Sequence, residues 1–180
     1  MSILLYVYQR AMLLVRTIVL RILAVVLCLS LSFIMAPGTA QAASGDRYIR
    51  EFLKATDAVP VRRNDAGDSQ VFSPEQLSQG KDLFKDSCIN CHVGGNTLPN
   101  PAVSLSQAAL QGATPSRDNL TNLIAYMRDP MSYDGSDYGY LCRQVTENWM
   151  SQPEIENLAA FILRAADVAP GWGTEQFQDG

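Results

Sequence analysis

The sequence predicts an all-α domain that follows an export leader. Three segments carry apolar residues at helical spacing, and two of them are preceded by a serine cap and a proline. No segment alternates between apolar and polar residues well enough to predict an extended sheet. The chain has 180 residues, of which 47% are hydrophobic and 18% are charged, as expected for one compact domain with a core.

Residues 1–42 differ from the rest of the chain and are typical of a signal peptide. They carry three arginines and no acidic side chain, and the arginines precede an apolar run from Ile22 to Ala36. This run is shorter than the roughly 20 residues that a transmembrane helix needs. It leads to Ala40-Gln41-Ala42, a small-x-small cleavage pattern, so we expect cleavage after Ala42. An uncleaved membrane anchor is the alternative.

Removal of the leader makes the protein more acidic. The net charge falls from −4 to −7, because three arginines and no acidic residues are lost. An acidic surface disfavours binding to nucleic acid and favours cationic protein partners or no particular partner. Export places the mature protein in a periplasm, a thylakoid lumen or the medium, peripheral to a membrane at most.

Residues 43–72 should form an irregular N-terminal extension with a short hairpin. The residue patterns that predict helices begin after this extension. The domain proper should span 73–180. Its first helix is predicted from Pro74 to about Asp86, with Ser73 as the cap. Gly80 lies inside this helix, at a cost of about 1 kcal/mol. We therefore expect another helix to pack closely against it.

Two further helices are predicted downstream. One begins at Arg117 or Asp118 and ends at Arg128, before Pro130; the other follows the cap Ser151 and continues to about Asp167. Their apolar faces should contain Leu120, Leu123, Ile124 and Met127 in the first, and Ile155, Leu158, Phe161 and Ile162 in the second. The segments 93–103 and 131–142 are rich in turn-forming residues and should be loops.

The string Cys88-Ile89-Asn90-Cys91-His92 carries the chemistry of the chain. A C-x-x-C pair alone is compatible with a zinc site, a redox dithiol or haem attachment. Zinc would need two more ligands, and the mature chain offers only Cys142 and His92, of which His92 is too close in sequence to Cys91 to complete the usual second pair easily. A thioredoxin-like dithiol would need a βαβ context, which is absent. The complete C-x-x-C-H motif in an exported chain indicates one covalently bound haem c. Cys88 and Cys91 would form the thioether bonds, and His92 would coordinate the iron.

The ligand of the iron's other face must come from elsewhere, because His92 is the only histidine. A water molecule or an open site is possible, and the candidate side chains are Met127, Met131, Met150 and Cys142. Met127 and Met150 are more simply explained as residues of the hydrophobic core, since each lies within or beside a predicted helix. Cys142 lies in a loop beside Tyr138, Tyr140 and Leu141, which would shield a haem face. We therefore favour Cys142.

Cysteine pairing supports this choice. Once haem uses Cys88 and Cys91, Cys142 has no disulfide partner in an oxidising compartment. A buried inert thiol and an intermolecular disulfide are the alternatives. A Cys142 thiolate would favour Fe(III), so the sequence predicts a low reduction potential.

Several strings resemble the cytochrome c-550 family, the extrinsic haem proteins of cyanobacterial photosystem II. The similarity extends from about Ser73 to Gly173. The strings are His92-Val93-Gly94-Gly95, Asn100-Pro101, Ala113-Thr114-Pro115, Arg117-Asp118-Asn119, Tyr126-Met127, Tyr133-Asp134-Gly135 and Trp172-Gly173. The resemblance implies a class I cytochrome c fold, with few helices around a covalent haem, and a thylakoid-lumen location.

Two features resemble the second, c-550-like paralogue of some cyanobacteria. The family's second axial histidine has no counterpart between Ser136 and Arg143, where Cys142 lies instead, and the chain ends without the family's Tyr-Tyr terminus. The function expected is low-potential electron transfer, not enzymatic catalysis. The alternatives are an extrinsic photosystem II subunit and, less favoured, a haem sensor or peroxidase-like protein.

Overall fold

The computed structural model describes residues 2–34, 46–98, 103–139 and 142–174. The chain divides into two compact units, 1–42 and 43–180. The first contains helix α1 (Ser2–Ile34). No helix in the described residues is long and apolar enough to cross a bilayer. The expected cleavage site after Ala42 lies outside the described residues, so cleavage remains a prediction, although the division between the two units falls at the same residue.

The second unit is mainly helical, with one small antiparallel sheet. Its helices are α2 (Arg47–Glu51), α3 (Pro74–Ser87), α4 (Gln107–Gly112), α5 (Leu120–Arg128) and α6 (Gln152–Val168), and a 3₁₀ turn spans Val93–Gly95. The strands are β1 (Val59–Arg62) and β2 (Ser69–Phe72), which pair with Val59 opposite Phe72 and Arg62 opposite Ser69. The expected hairpin is therefore present.

The N-terminal extension contributes to the core, which the sequence analysis did not predict. Ile49, Leu53 and Phe72 are fully buried in the same apolar cluster as α3 and α6. Burial of one such side chain stabilises a fold by about 1.5–3 kcal/mol. The described part of the extension, residues 46–72, thus shares its apolar core with α3 and α6.

Four polar residues connect the hairpin to the start of α5. The Arg62 guanidinium donates to the Asp118 carboxylate at 2.5 Å, and the Asn119 amide donates to Asp65 at 2.9 Å. Asn119 also caps α5, because its side-chain oxygen accepts from the backbone N–H of Asn122 at 3.0 Å. This cap explains why α5 begins at Leu120 and not at the predicted Arg117 or Asp118.

The predicted α3 and α6 are present within one residue of their expected ends. Reciprocal hydrogen bonds between Ser73 and Gln76 form a capping box at α3. At α6, the backbone N–H and hydroxyl of Ser151 donate to Glu154 at 2.8 and 2.6 Å. Helix α4 was not predicted, because a single short turn after Ser106 gives too little periodicity to detect.

Helices α3 and α6 form the principal contact of the domain, and Gly80 makes it possible. A Cβ atom on Gly80 would lie 2.6 Å from the Asn157 carbonyl carbon and 2.9 Å from the Phe161 Cβ, with the Asn157 carbonyl oxygen closer still. The close approach expected from the sequence is therefore present. One turn further on, the rings of Phe84 and Phe161 pack at 5.5 Å. This contact fixes the end of α3, where the C-x-x-C-H motif begins.

Replacement of Gly80 by alanine should separate the two helices. We expect Gly80→Ala to lower the free energy of unfolding by about 2 kcal/mol, because overpacking outweighs the roughly 1 kcal/mol that alanine gains in helix propensity. Chemical denaturation of the holoprotein measures this. Asp82→Ala, at an exposed position of the same helix, is the control and should change stability by no more than about 0.5 kcal/mol. Equal stability of the two variants would contradict the packing argument.

Candidate haem site

The C-x-x-C-H motif forms a tight turn at the end of α3. Cys88 is the C-cap residue, and its backbone N–H donates to Phe84 O at 2.8 Å. Its carbonyl accepts from the N–H groups of Cys91 and His92 at 3.1 and 2.9 Å. This turn places both thiols and the imidazole of the motif around one short loop, as attachment of a single planar group requires.

Both motif thiols are free in the structure. Cys91 is exposed, while Cys88 is partly buried beside the hydrophobic core. Burial, together with electrostatic repulsion from Cys142 and Cys91, raises the pKa of Cys88 to about 12. Within the residues that the structure describes, no group of three or more His, Cys, Asp or Glu side chains could hold a metal ion.

Thr97 fixes the orientation of the His92 ring. Its hydroxyl lies 3.1 Å from His92 Nδ1 and also donates to the Val103 carbonyl. A hydroxyl has one proton, so a Thr97 that donates to Val103 must accept a hydrogen bond from His92 Nδ1–H. The His92 Nε2 is then unprotonated and available to bind iron. Thr97 was not predicted from the sequence, since a threonine five residues after the histidine matches no general motif.

The environment of His92 favours the neutral ring that a metal ligand needs. Burial lowers the pKa of His92 and outweighs the opposing effect of a hydrogen bond involving the Asn96 backbone. A neutral imidazole anchored through Nδ1 is the usual arrangement of a ligating histidine.

The glycines after His92 allow the chain to turn against a tryptophan. Gly95 has a φ of 80°, and a Cβ atom there would lie 2.6 Å from Trp172 Cε2. The Gly173 N–H donates to Gly94 O at 2.8 Å, and the Trp172 indole donates to Leu105 O at 3.0 Å. Two strings separated in sequence, His92-Val93-Gly94-Gly95 and Trp172-Gly173, therefore meet beside the site.

Two of the methionine candidates for the second axial position lie in the core. Met127 is 6% exposed and Met150 is 2% exposed, and both belong to the main apolar cluster. This matches the core role that the sequence suggested for them. Met131 is partly buried and pairs with Tyr138 through an isolated β-bridge.

Cys142 lies close to the motif in space, although fifty residues separate it from His92 in sequence. It interacts electrostatically with both Cys88 and Cys91. Burial raises the pKa of Cys142, while a hydrogen bond from Tyr126 and the positive charge of Arg117 act in the opposite direction. Tyr140 and Leu141, predicted to shield a haem face, lie outside the described residues.

The segment that follows Cys142 is attached firmly to the end of α5. Val145 N–H donates to Met127 O at 2.8 Å, and the Arg128 guanidinium donates to the carbonyls of Val145 and Met150 at 2.9 and 3.0 Å. The Gln144 amide also donates to Arg128 O at 2.8 Å. These bonds fix the backbone that follows Cys142 against α5, and the Cys142 thiol itself lies 3.8 Å from the Arg143 carbonyl oxygen.

The residues present therefore fit a c-type haem. Two free thiols flank a turn, a histidine exposes one ring nitrogen, and a third thiol lies nearby. Comparison with known sequences agrees, since the family model for the cytochrome c-550 domain matches residues 51–179. The chain belongs to the cytochrome c-550 family.

Among the relatives of this chain are proteins named cytochrome c-550-like protein and proteins named photosystem II extrinsic protein V. A cytochrome c-550-like protein of Thermosynechococcus vestitus is 54% identical over 154 residues, which cover 85% of this chain and 88% of the relative. The photosystem II extrinsic protein V of Gloeobacter violaceus is 50% identical over 137 residues, which cover 76% of this chain and 74% of the relative. Family membership implies haem c as the cofactor.

Solved structures show the same fold. The PsbV2 cytochrome of Thermosynechococcus elongatus superposes with a TM-score of 0.71 at 54% identity, covering 72% of this chain and 99% of that protein. Cytochrome c549 superposes with a TM-score of 0.55 at 31% identity, covering 60% of this chain and 90% of that protein. These similarities confirm the predicted class I cytochrome c fold.

The role of Thr97 can be tested by removing its hydroxyl. In the holoprotein, Thr97→Val should weaken the donor strength of His92 and raise the midpoint potential by the equivalent of about 1 kcal/mol, the usual net value of one hydrogen bond. Redox titration measures this. Thr97→Ser keeps the hydroxyl and should retain the original potential. A Val variant with the same potential as the Ser variant would show that the Thr97 hydroxyl does not support His92.

Proposed function

We propose that the mature chain, from Ala43 onwards, is an electron-transfer cytochrome of the thylakoid lumen with a low reduction potential. Cys88 and Cys91 bind one haem c covalently, and His92 and Cys142 are its axial ligands. When bound, the haem supplies a reversible Fe(III)/Fe(II) couple. The protein's contribution is to hold both ligands in place through the redox cycle.

The position of Cys142 is the single observation that carries this proposal. Its sulphur lies within electrostatic range of Cys88 and Cys91, the residues that attach the haem. The Arg128 and Val145 hydrogen bonds keep the following backbone next to α5. Met127 and Met150 are committed to the core, so Met131 and Cys142 are the remaining sulphur donors, and of these two Cys142 is the one that interacts electrostatically with the motif cysteines.

A thiolate ligand has a defined consequence for the potential. Anionic sulphur donates electron density to the iron and neutralises part of the ferric charge, so it stabilises Fe(III) more than a methionine thioether does. Six-coordinate iron in both states also limits rearrangement during electron transfer. His92 is the sole histidine of the chain, so the sequence supplies no distal histidine for acid–base catalysis. We therefore propose electron transfer in preference to a sensor or peroxidase-like role.

The lumenal location rests on the leader and on the names of relatives. Residues 1–42 have the pattern of a signal peptide, and removing them gives the acidic protein of net charge −7. A relative from Gloeobacter violaceus is named photosystem II extrinsic protein V. That name supports a second candidate function, in which this chain binds the lumenal face of photosystem II and the haem serves mainly to stabilise the fold.

Substitution of Cys142 tests the axial ligand. We expect Cys142→Ala to keep its covalent haem but to lose the thiolate features of the ferric absorption and electron-resonance spectra, because no sulphur anion remains on that face. The midpoint potential should rise. Cys142→His is the matched ligand exchange and should give a bis-histidine spectrum. A ferric spectrum in Cys142→Ala identical to that of the unsubstituted protein would exclude Cys142 as the ligand.

Binding to photosystem II separates the two candidate functions. An electron carrier that forms only transient complexes should not remain bound to photosystem II stripped of its extrinsic proteins. Co-sedimentation at low ionic strength measures this, since electrostatic attraction is strongest there. Stoichiometric binding that is lost at high salt would favour the extrinsic-subunit function over the carrier.

A further inference from the structure

The loop of residues 93–98, which follows the haem motif, is bonded to residues 103–106 and to residues 172–174, both far from it in sequence. On the first side, the Leu105 N–H donates to Gly95 O at 2.7 Å. On the second side, the loop bonds to the backbone just beyond α6. The loop is therefore held between two segments of the same domain.

Residues 172–174 bond to the loop through their backbone. The Gly173 N–H donates to Gly94 O at 2.8 Å. The side-chain amide of Asn96 donates to the Thr174 carbonyl oxygen at 2.6 Å. A side chain of the loop is thus tied directly to the segment that follows α6.

The segment 172–174 is a fixed support, because Trp172 belongs to the core. The centroid of its ring lies 5.3 Å from that of Phe84 and 5.7 Å from that of Phe161. Its indole N–H donates to Leu105 O at 3.0 Å, which joins this support to the other one. Movement of the segment would disrupt these contacts, so the segment holds the loop in place.

Asn96 directly precedes Thr97, whose hydroxyl lies 3.1 Å from His92 Nδ1. On the other side of Thr97, the Leu98 N–H donates to Cys91 O at 2.8 Å. Thr97 is therefore flanked by two anchored residues, one bonded through its side chain and one through its main chain. The Asn96 anchor limits movement of the hydroxyl away from the imidazole.

We propose that Asn96 is a positioning residue, whose bond to Thr174 keeps the Thr97 hydroxyl in place to accept a hydrogen bond from His92 Nδ1–H. This inference rests on the His92 ligation proposed above and is independent of the second axial ligand. A hydrogen bond at the remote ring nitrogen makes a histidine a more basic ligand. By keeping that bond formed, Asn96 favours Fe(III) and contributes to a low potential.

Asn96→Ala in the holoprotein tests the proposal. In the NMR spectrum of the ferric protein, the hyperfine-shifted His92 Nδ1–H should exchange with deuterium oxide about fivefold faster, because one hydrogen bond no longer closes the loop. The midpoint potential should rise, by less than in Thr97→Val. Asn122→Ala is the matched control, since it removes an amide that bonds to Asp65 at 3.3 and 3.2 Å. That control should leave the exchange rate and the potential unchanged.

A double substitution tests whether Asn96 acts through Thr97. In a Thr97→Val background, Asn96→Ala should cause no further rise in potential, because the hydroxyl that it positions is already absent. An undiminished rise in that background would overturn the proposal. Equal potentials and exchange rates in Asn96→Ala and the unsubstituted protein would also overturn it.

Two further outcomes separate local positioning from general stabilisation and from the ligation itself. The backbone amides of α6 should exchange at unchanged rates in Asn96→Ala, and an equal acceleration there would overturn the positioning role. Absence of hyperfine-shifted His92 ring signals from the unsubstituted protein would contradict His92 ligation, and with it both this inference and the proposed function. The other contrary results leave the proposed function intact.

Discussion

The close contact between α3 and α6 at Gly80 determines where the haem motif lies. With hydrogen as its side chain, Gly80 lets the backbone of α6 approach near Asn157, and the Phe84–Phe161 pair closes the interface one turn later. The C-x-x-C-H turn begins where this rigid part of α3 ends. The helix pair therefore sets the orientation of this turn. Trp172 packs on Phe84 and Phe161 and supports the other side of the same turn.

A second rigid element, α5, anchors the chain beside Cys142, the proposed second ligand. Its end holds the backbone after Cys142 through Met127 and Arg128. The two proposed axial ligands thus depend on different helices that share one core. This arrangement suits an electron carrier, because neither ligand needs to move when the charge on the iron changes.

The elements best predicted from the sequence were those with local signals. The Ser73 and Ser151 caps located α3 and α6 within one residue, and C-x-x-C-H identified the haem chemistry, which family membership supports. The Asn119 cap, the burial of Ile49 and the Thr97 bond to His92 were missed, because each depends on a partner distant in sequence or on a single polar side chain. Cys142 was selected by elimination, and its proximity to Cys88 became visible only in three dimensions.

The central claim is that a cysteine thiolate completes the iron coordination. The most direct test is the low-temperature electron-resonance spectrum of the native ferric holoprotein, which requires no substitution. Coordination by the Cys142 thiolate should give a low-spin signal with the narrow spread of g-values typical of axial thiolate ligation, together with a sulphur-to-iron charge-transfer band. A high-spin signal, or a low-spin signal of histidine/methionine type, would contradict it.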